Sequence, residues 1–489
     1  MNNIVIGKHA LESLTTGMYS DPMVVFREYI QNSVDSIDSA VEKGIIARNE
    51  GYVDICISAL EQTIVIMDNG LGIDEDDAER TLISIGNSKK SSNISRGFRG
   101  IGRLAALGYC DELVFETSVK GSKKGVRLTI NSKRLTEHLL FEDEKEMSAE
   151  EVLADVYTCE EILEAEKTHY FKVIMRGIEQ DADIMQEEQV FSYISQNAPV
   201  PYNDEHFAWG KEIRNRLCAE GYVIPEYTIF LNFGGIKKQI FKPYTDSFTI
   251  DKGKNIKDSI SDIEIIKFES SESSMAAIGW LATSGYLGSI YDKNVKGIRI
   301  RKGNIMIGDA QTLNSAFKDS RFNGWCLGEI FTLDQRLIPN ARRDNFEKNS
   351  SYYLLWEQLQ NLAFNTTKKI RTVSMQRNQA VSTDEELVTP VQKESATSKR
   401  NLLKKELLRT KKRIDEVELE KDTGTSEINF KALDALIDVI EGSPHYKVLN
   451  TLALSNNEKR VLEKVFNTII AVDDKRAEEL IDAILRVFM

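Results

Sequence analysis

Apolar runs that alternate with helical segments constrain the fold of the first 180 residues more than any other feature. Three short runs rich in β-branched and aromatic residues read TIVIMDNG, ELVFETSVK and YFKVIMRGI, and each has the composition of a strand. Helical patterns lie between them, including the acidic stretch EMSAEEVLADVYTCEEILEAEK, which we predict to be a helix. Strands and helices in alternation bury their apolar faces in layers. The pattern predicts a mixed α/β domain over residues 1–180.

The rest of the chain divides by composition. A second mixed region is predicted over residues 188–376, with strands such as EYTIFLNF and KGIRIRKGNIMIG. Residues 377–398 are polar and nearly free of aromatic side chains, which is typical of a linker. Residues 399–489 contain the stretch KRNLLKKELLRTKKR and further amphipathic runs, which favour a helical or coiled-coil region. The expected class is therefore α+β.

Composition excludes several classes of protein. The chain has 489 residues and a net charge of −13, which disfavours broad binding to nucleic acid or to a membrane surface. No apolar run is long enough to span a bilayer, and the N-terminus lacks the features of a signal peptide. The five cysteines include no CxxC pair, and the five histidines no HExxH. We therefore expect a cytoplasmic protein with reduced thiols and no catalytic metal held by the protein alone.

Two stripes run along the segment FREYIQNSVDSID, residues 26–38, when it is drawn as a helix. The apolar stripe consists of Phe26, Ile30, Val34 and Ile37. The polar stripe consists of Glu28, Asn32 and Asp35. Residues at spacings of three and four share one face of a helix. The polar stripe is either a solvated face or a face that presents two carboxylates and an amide to a ligand.

Two glycine-rich segments follow. Asp68 ends a β-rich run and precedes Gly70 and Gly72, which allow a sharp turn and the close approach of a ligand. The Asp68 carboxylate can accept a hydrogen bond from an exocyclic amine such as that of adenine, although a DNG hairpin turn is the alternative.

The second glycine-rich segment is RGFRGIGRLAALGY, in which Gly97, Gly100 and Gly102 lead into a helical run. Backbone N–H groups at a helix entrance suit phosphate. A mobile surface loop is the alternative. A dinucleotide-binding Rossmann motif is disfavoured, because the glycines follow a polar helical stretch and not the first strand of a βαβ unit.

Taken in order, the Glu-x-x-x-Asn helix, the Asp-x-Gly-x-Gly turn and the Gly-x-x-Gly-x-Gly loop resemble the GHKL ATPase superfamily, whose domain is the Bergerat α/β sandwich. The superfamily includes ninety-kilodalton heat-shock chaperones, MutL, type II topoisomerases and histidine kinases. The resemblance implies ATP and Mg²⁺ as cofactors, with Glu28 as general base and Asn32 as the magnesium ligand. The further nucleotide contacts that we predict are Asp35, Asp68, Gly70, Gly72, Lys89, Lys90, Gly97, Arg99, Gly100, Ile101, Gly102 and Thr168. Asp35 is expected to support the adenine pocket or helix packing, and the two lysines either reach phosphate from a lid or form an exposed basic turn.

The second region resembles the middle domain of the same heat-shock family, HtpG in bacteria. The segments that carry this resemblance are KGIRIRKGNIMIGDAQTL and FTLDQRLIPNARRDNFEKN. It implies that Arg343, with its neighbour Asn340, reaches the γ-phosphate from outside the first domain. Three departures stand out: the GFRG sequence is closer to MutL, Lys167 precedes Thr168 where the family has glycine, and the family's C-terminal dimerisation domain is not recognisable.

The resemblance implies an ATP-hydrolysing, HtpG-like chaperone or conformational switch that works by Mg-ATP-driven lid closure and domain docking. Two alternatives stay open. One is a MutL-like ATPase that acts with DNA, and the other is an ATP-dependent partner-binding component of a bacterial defence or stress system. We expect a client or partner protein and a homo-oligomer formed through residues 399–489, with no membrane association and with nucleic acid disfavoured.

Overall fold

The computed structural model describes residues 21–84, 102–140, 148–180, 182–272 and 274–386, with side chains up to residue 377. Its α-helices are α1 Val24–Glu42, α2 Glu75–Ile83, α3 Ser132–Leu140, α4 Ala149–Val156, α5 Glu187–Asn197, α6 Trp209–Ala219 and α7 Ser350–Glu386. Its strands are β1 Tyr52–Ser58, β2 Thr63–Asp68, β3 Glu112–Ser118, β4 Lys124–Asn131, β5 Tyr157–Leu163, β6 Tyr170–Arg176, β7 Thr228–Phe233, β8 Ile236–Gln239, β9 Ser247–Asp251, β10 Ile256–Glu269, β11 Met275–Ser284, β12 Gly297–Lys302, β13 Ile305–Ile307 and β14 Leu327–Thr332. Short 3₁₀ helices include Gly102–Gly108.

An eight-stranded sheet of order β5-β4-β3-β6-β2-β1-β7-β8 dominates the first half of the chain. Strands β1 and β7 run parallel, and the other neighbours run antiparallel. Alternate residues of β1 and β2 are buried, as expected where one face of a sheet covers a core. Helix α1 buries its predicted apolar stripe in that core. The α+β class is confirmed for these residues.

Local sequence sets both ends of α1. The Asp21 carboxylate accepts a hydrogen bond from Met23 N at 2.9 Å, and satisfies one donor at the helix start. At the other end Gly44, with φ +69°, donates to the Val41 carbonyl, and Ile45 N donates to the Ala40 carbonyl. This pair of bonds is a Schellman motif, which needs a left-handed residue that glycine adopts at little cost.

The acidic stretch that we predicted as one helix is helical only over Ala149–Val156 and continues as the edge strand β5. Ser148 and Glu151 form a capping box at the helix start. The prediction is wrong for Tyr157–Leu163, because this segment pairs with β4 along its length. Tertiary pairing overrides the local helical pattern there.

The predicted domain boundary near residues 180–188 stays a prediction, but strands on both sides of it share the first sheet. EYTIFLNF supplies β7, which pairs in parallel with β1. The compact unit that contains both sheets extends to Asn378.

A second sheet of six strands, in the order β13-β12-β14-β11-β10-β9, follows. The predicted KGIRIRKGNIMIG strands form the hairpin of β12 and β13. Helix α7 packs on this sheet through Tyr352, Leu355 and Leu359. It runs on to Glu386, so residues 377–386 of the predicted linker are helical. No helix within the described ranges is long and apolar enough to cross a membrane.

Candidate functional site

The polar stripe of α1 lies where the sequence pattern predicts. Glu28 and Asp35 are buried, and Asn32 is partly exposed. One helical turn separates Glu28 from Asn32, so a carboxylate and an amide face the same side. Both ends of this stripe are covered by parts of the chain that are distant in sequence.

Gly102 lies directly against the Glu28 carboxylate. A Cβ atom added to Gly102 would be 2.1 Å from Glu28 Oε2 and 3.0 Å from its Cδ. Only glycine leaves room for both the carboxylate and the backbone at this point. The first and third predicted segments therefore meet at one place, as the combined pattern predicts.

Two guanidinium groups flank the same carboxylate. Arg27 donates to Glu28 Oε1 from Nε at 3.4 Å and from Nη2 at 3.3 Å. The Arg343 side chain approaches from the second half of the chain, with Nε 3.9 Å from Glu28 Oε1. All three side chains are at least nine-tenths buried. Hydrogen bonds from Arg27 restrict the orientation of this carboxylate, and Arg343 lies on its other side.

The loop that carries Arg343 is closed on itself. Pro339 and Phe346 form a β-bridge, and Glu347 N donates to the Ile338 carbonyl at 2.8 Å. Arg343 lies at the tip with φ +57°, a left-handed conformation that is uncommon for a non-glycine residue. Asn340, its predicted companion, donates from Nδ2 to Asp344 Oδ1 at 2.5 Å within the loop.

A second connection joins this loop to α1. Arg27 Nη2 donates to the backbone carbonyl of Arg342 at 3.0 Å. Arg27 thus contacts both Glu28 and the Arg343 loop. The sequence analysis missed Arg27, because an arginine beside a glutamate on a helix has no distinguishing pattern.

Asp68 is fully buried at the end of β2, and its Oδ1 accepts from Gly70 N at 2.9 Å. The chain then leads into α2 and not into a returning strand, so the DNG segment is not a hairpin turn. A Cβ on Gly70 would be 2.2 Å from Ser36 Oγ, and a Cβ on Gly72, whose φ is +72°, would be 2.1 Å from the Ser118 carbonyl oxygen. Both glycines are required by close packing against α1 and β3.

Two polar residues that the sequence analysis missed hold this turn. Thr117 Oγ1 accepts from Ile73 N at 2.8 Å and donates to the Tyr170 carbonyl at 3.1 Å. His169 Nδ1 donates to the Gly70 carbonyl at 2.8 Å. Thr168, the predicted nucleotide contact, precedes His169 in the turn before β6, where its N–H donates to the Ala165 carbonyl. Its role stays a prediction.

Burial shifts the pKa of two further groups near α1. It lowers the pKa of the Arg103 guanidinium, whose backbone carbonyl accepts from Tyr29 OH at 2.9 Å. It raises the pKa of the Tyr193 phenol, an effect that nearby Arg27 opposes and Glu28 adds to. Tyr193 therefore stays neutral beside the ion pair at any working pH.

Six predicted contacts, Lys89, Lys90, Gly97, Arg99, Gly100 and Ile101, lie outside the described residues. Across the described ranges, His, Cys, Asp and Glu form no group of three or more that would hold a metal ion. Asn32 stays the predicted ligand of a magnesium ion whose shell phosphate and water would complete.

Comparison with known proteins agrees with this geometry. Residues 19–158 match the family described as histidine kinase-, DNA gyrase B- and HSP90-like ATPase. These residues form a GHKL ATPase domain. The matched range of the ATPase domain contains Glu28, Asn32, Asp68 and Gly102.

The chain is also related to HtpG chaperones over part of its length. Chaperone protein HtpG of Alkaliphilus metalliredigens is 26% identical over 136 residues, which cover 24% of this chain and 22% of the relative. HtpG of Clostridium acetobutylicum is 26% identical over 142 residues, covering 24% and 23%. HtpG of Halalkalibacterium halodurans is 23% identical over 134 residues, covering 24% and 21%. The matches span less than a quarter of each relative, and Arg343 lies beyond the family match.

Proposed function

We propose that this protein binds and hydrolyses ATP as an HtpG-like chaperone or conformational switch, in which residues from both sheets complete one site. The observation that carries the proposal is that Gly102 and Arg343 both lie against the Glu28 carboxylate. Glu28 and Arg343 are far apart in the sequence, and the second belongs to a loop beside the other sheet. A structural ion pair alone would not require a glycine packed against its carboxylate.

Glu28 is proposed as the general base. Its carboxylate, oriented by Arg27, orients and deprotonates the water that attacks the γ-phosphate. Asp68 is proposed to accept a hydrogen bond from the adenine amine, and its fixed turn with Gly70 and His169 supports that role. Asn32 would hold Mg²⁺, which when bound neutralises charge on the phosphate oxygens.

Arg343 is proposed to stabilise charge that develops on the γ-phosphate. A guanidinium stays charged at any working pH and binds phosphate oxygens through two parallel donors. Its approach to Glu28 at 3.9 Å supports this, since the base and the transferred phosphate must be close together. Hydrolysis would then require the second sheet and its loop beside the ATPase domain, which links nucleotide state to conformation.

Relationship to HtpG favours a chaperone or switch among the possible outputs of such a cycle. Domain boundaries at 180, 188 and 376, lid closure, the client or partner protein and self-association through residues 399–489 remain part of this proposal. The MutL-like alternative rests on the GFRG sequence and on the basic stretch KRNLLKKELLRTKKR, both of which lie outside the described residues.

A set of single variants tests the proposal. Glu28→Ala should bind ATP yet hydrolyse it about 10²–10⁴-fold more slowly, the usual contribution of a general base. Asp68→Asn should lose ATP binding in calorimetry, since an amide does not replace the carboxylate as an acceptor. Arg343→Ala should bind ATP and turn it over about 10³-fold more slowly, at the lower end of the range of about 10³–10⁵ known for arginines in this role.

Arg342→Ala is the matched control for Arg343→Ala. Its side chain is exposed, and the carbonyl that contacts Arg27 belongs to the backbone and survives the substitution. Hydrolysis by Arg342→Ala should stay close to wild type. Wild-type turnover by Glu28→Ala would exclude it as the base, and equal loss in Arg342→Ala and Arg343→Ala would refute the role of the guanidinium.

A further inference from the structure

The second sheet encloses a buried ion cluster formed by Lys242, Arg301 and Glu329. Lys242 Nζ donates to Glu329 Oε2 at 2.7 Å, and Arg301 Nε donates to Glu329 Oε1 at 2.5 Å. The side chains of all three are inaccessible to solvent. No residue of this cluster touches the site around Glu28, so the proposed function leaves it unexplained.

Polar side chains complete the surroundings of the cluster. Tyr202 OH donates to Glu329 Oε2 at 2.6 Å, and Tyr244 OH donates to Oε1 at 3.1 Å. Two cations nevertheless share one carboxylate. Burial, with the adjacent Arg301, lowers the pKa of Lys242 to about 7, although Glu329 and Glu226 oppose the shift. Apolar replacements of buried ion clusters are often as stable as the original, so stability alone is a poor reason for this cluster.

The cluster holds the turn of the β12–β13 hairpin. Asn304 occupies that turn with φ +63°. Lys242 Nζ donates to Asn304 Oδ1 at 2.9 Å, and Arg301 Nη1 donates to the Asn304 carbonyl at 3.1 Å. Asn304 Nδ2 in turn donates to the Pro225 carbonyl at 2.7 Å. Every contact of the buried Asn304 side chain therefore fixes the hairpin in position.

The far end of this hairpin supports the loop that carries Arg343. Gly308 directly follows β13, and its N–H donates to the Arg343 carbonyl at 2.8 Å. A Cβ on Gly308 would be 2.7 Å from the Asp344 carbonyl oxygen, so the loop packs closely on the hairpin. Only the three residues of β13, Ile305–Ile307, separate Gly308 from Asn304.

The cluster also reaches the ATPase side of the molecule. Arg301 Nη2 donates to the Gln196 carbonyl at 2.8 Å, at the end of α5. Val190 and Ile194 of α5 are buried in the same core as α1 and the first sheet. One cluster thus fixes the hairpin both to its own sheet and to a helix of the other core.

We propose that Lys242, Arg301 and Glu329 act as positioning residues for Arg343. They hold the β12–β13 hairpin in the position that places the Arg343 guanidinium beside Glu28. This inference rests on the proposed function, in that Arg343 must contribute to hydrolysis. The cluster itself contacts neither nucleotide nor Glu28, and it acts through Asn304, Gly308 and the Arg343 backbone.

Lys242→Met in the full chain tests the inference. Methionine fills similar volume and leaves the Arg301–Glu329 pair neutral overall, so the fold should be retained, whereas the bond to Asn304 is lost. ATP affinity should be unchanged, and kcat should fall about tenfold, the upper value for the net contribution of a single hydrogen bond. Lys302→Met is the control, because it removes a neighbouring lysine that donates to the Asp334 carbonyl and not to Asn304.

A double variant separates this inference from the proposed function. In an Arg343→Ala background Lys242→Met should cause no further loss, since residues that act through one another are not additive. Full additivity, or wild-type kcat in folded Lys242→Met, would overturn the inference while Arg343 keeps its role. Wild-type turnover by Arg343→Ala would instead refute the proposed function.

If Lys242→Met does not fold, Asn304→Gly provides the same test. Glycine adopts the left-handed turn without strain and removes both side-chain bonds. Unchanged kcat in a folded Asn304→Gly variant would overturn the inference, and an equal fall with unchanged ATP affinity would support it.

Discussion

Gly102→Ala should separate nucleotide binding from hydrolysis. The added Cβ would lie 2.1 Å from Glu28 Oε2, whereas ordinary contact begins near 3.4 Å. The nearest atom is the end of a side chain and not backbone, so the fold should survive by displacing the carboxylate. That displacement is about 1.3 Å, the difference between those two distances.

The expected loss of rate follows from this displacement. A misplacement of about 1 Å in a catalytic group costs about 10²-fold in rate, or about 2.7 kcal/mol of transition-state stabilisation. Arg27 and Arg343 resist the movement, because both flank the original position of the carboxylate. ATP affinity should change little, because Asp68 and its turn lie apart from the added methyl group.

Steady-state phosphate release and calorimetric ATP binding measure the two quantities. Gly253→Ala is the control, since its added Cβ would meet only Asp251 Oδ1, at 3.5 Å. Wild-type turnover by Gly102→Ala would refute the view that the position of the Glu28 carboxylate limits hydrolysis. Loss of ATP binding in a folded variant would show that Gly102 serves the nucleotide directly and does not act through Glu28.

Three further predictions concern stability and assembly. Gly72→Ala should destabilise the fold by about 2–4 kcal/mol in urea unfolding, because alanine is strained at this left-handed φ and its Cβ would overlap with backbone atoms. Gly121→Ala is the control and should cost less, because Gly121 also has a positive φ but open space around it. The pKa of Lys242 is about 7 in the fold against 10.5 ordinarily, so the unfolded chain binds more protons between these values. The free energy of unfolding of the wild type, relative to that of Lys242→Met, should therefore rise by about 1.4 kcal/mol per pH unit above pH 7 and level off below it. If the urea midpoints of the two proteins change in parallel from pH 6.5 to 9.5, this prediction is wrong. Light scattering should show that the full chain self-associates and that a chain ending at residue 376 is monomeric, whereas an unchanged mass would move the interface into the first two regions.

Much of the ATPase domain could be predicted from local patterns. The spacing of Phe26, Ile30, Val34 and Ile37 predicted α1 and its buried face, and the structure has both. Glycine at positions 70, 72 and 102 was predicted to let a ligand come close; in the structure each packs against protein atoms, and the ligand contacts stay predictions. These features are readable because helical periodicity and the lack of a Cβ act within a few residues.

Local patterns did not predict β5 or the place of β7. The acidic residues of Tyr157–Leu163 suit a helix, yet the exposed edge of β4 offers backbone partners along the whole segment. EYTIFLNF was correctly predicted as a strand, but its parallel pairing with β1 depends on a crossover that no local pattern encodes.

The amino-acid sequence by itself determined the elements of the proposed nucleotide site on α1, on the turn after β2 and at Gly102. Only the tertiary structure decided that Arg343 and Arg27 flank Glu28, and that Lys242, Arg301 and Glu329 meet inside the second sheet. Glu329 lies in β14, whose six residues are all buried, and this pattern gives no sign of a charge partner. A buried charge is stable only beside a counter-ion, and the fold can supply that counter-ion from any part of the chain. The sequence separation between the two partners therefore follows no local rule.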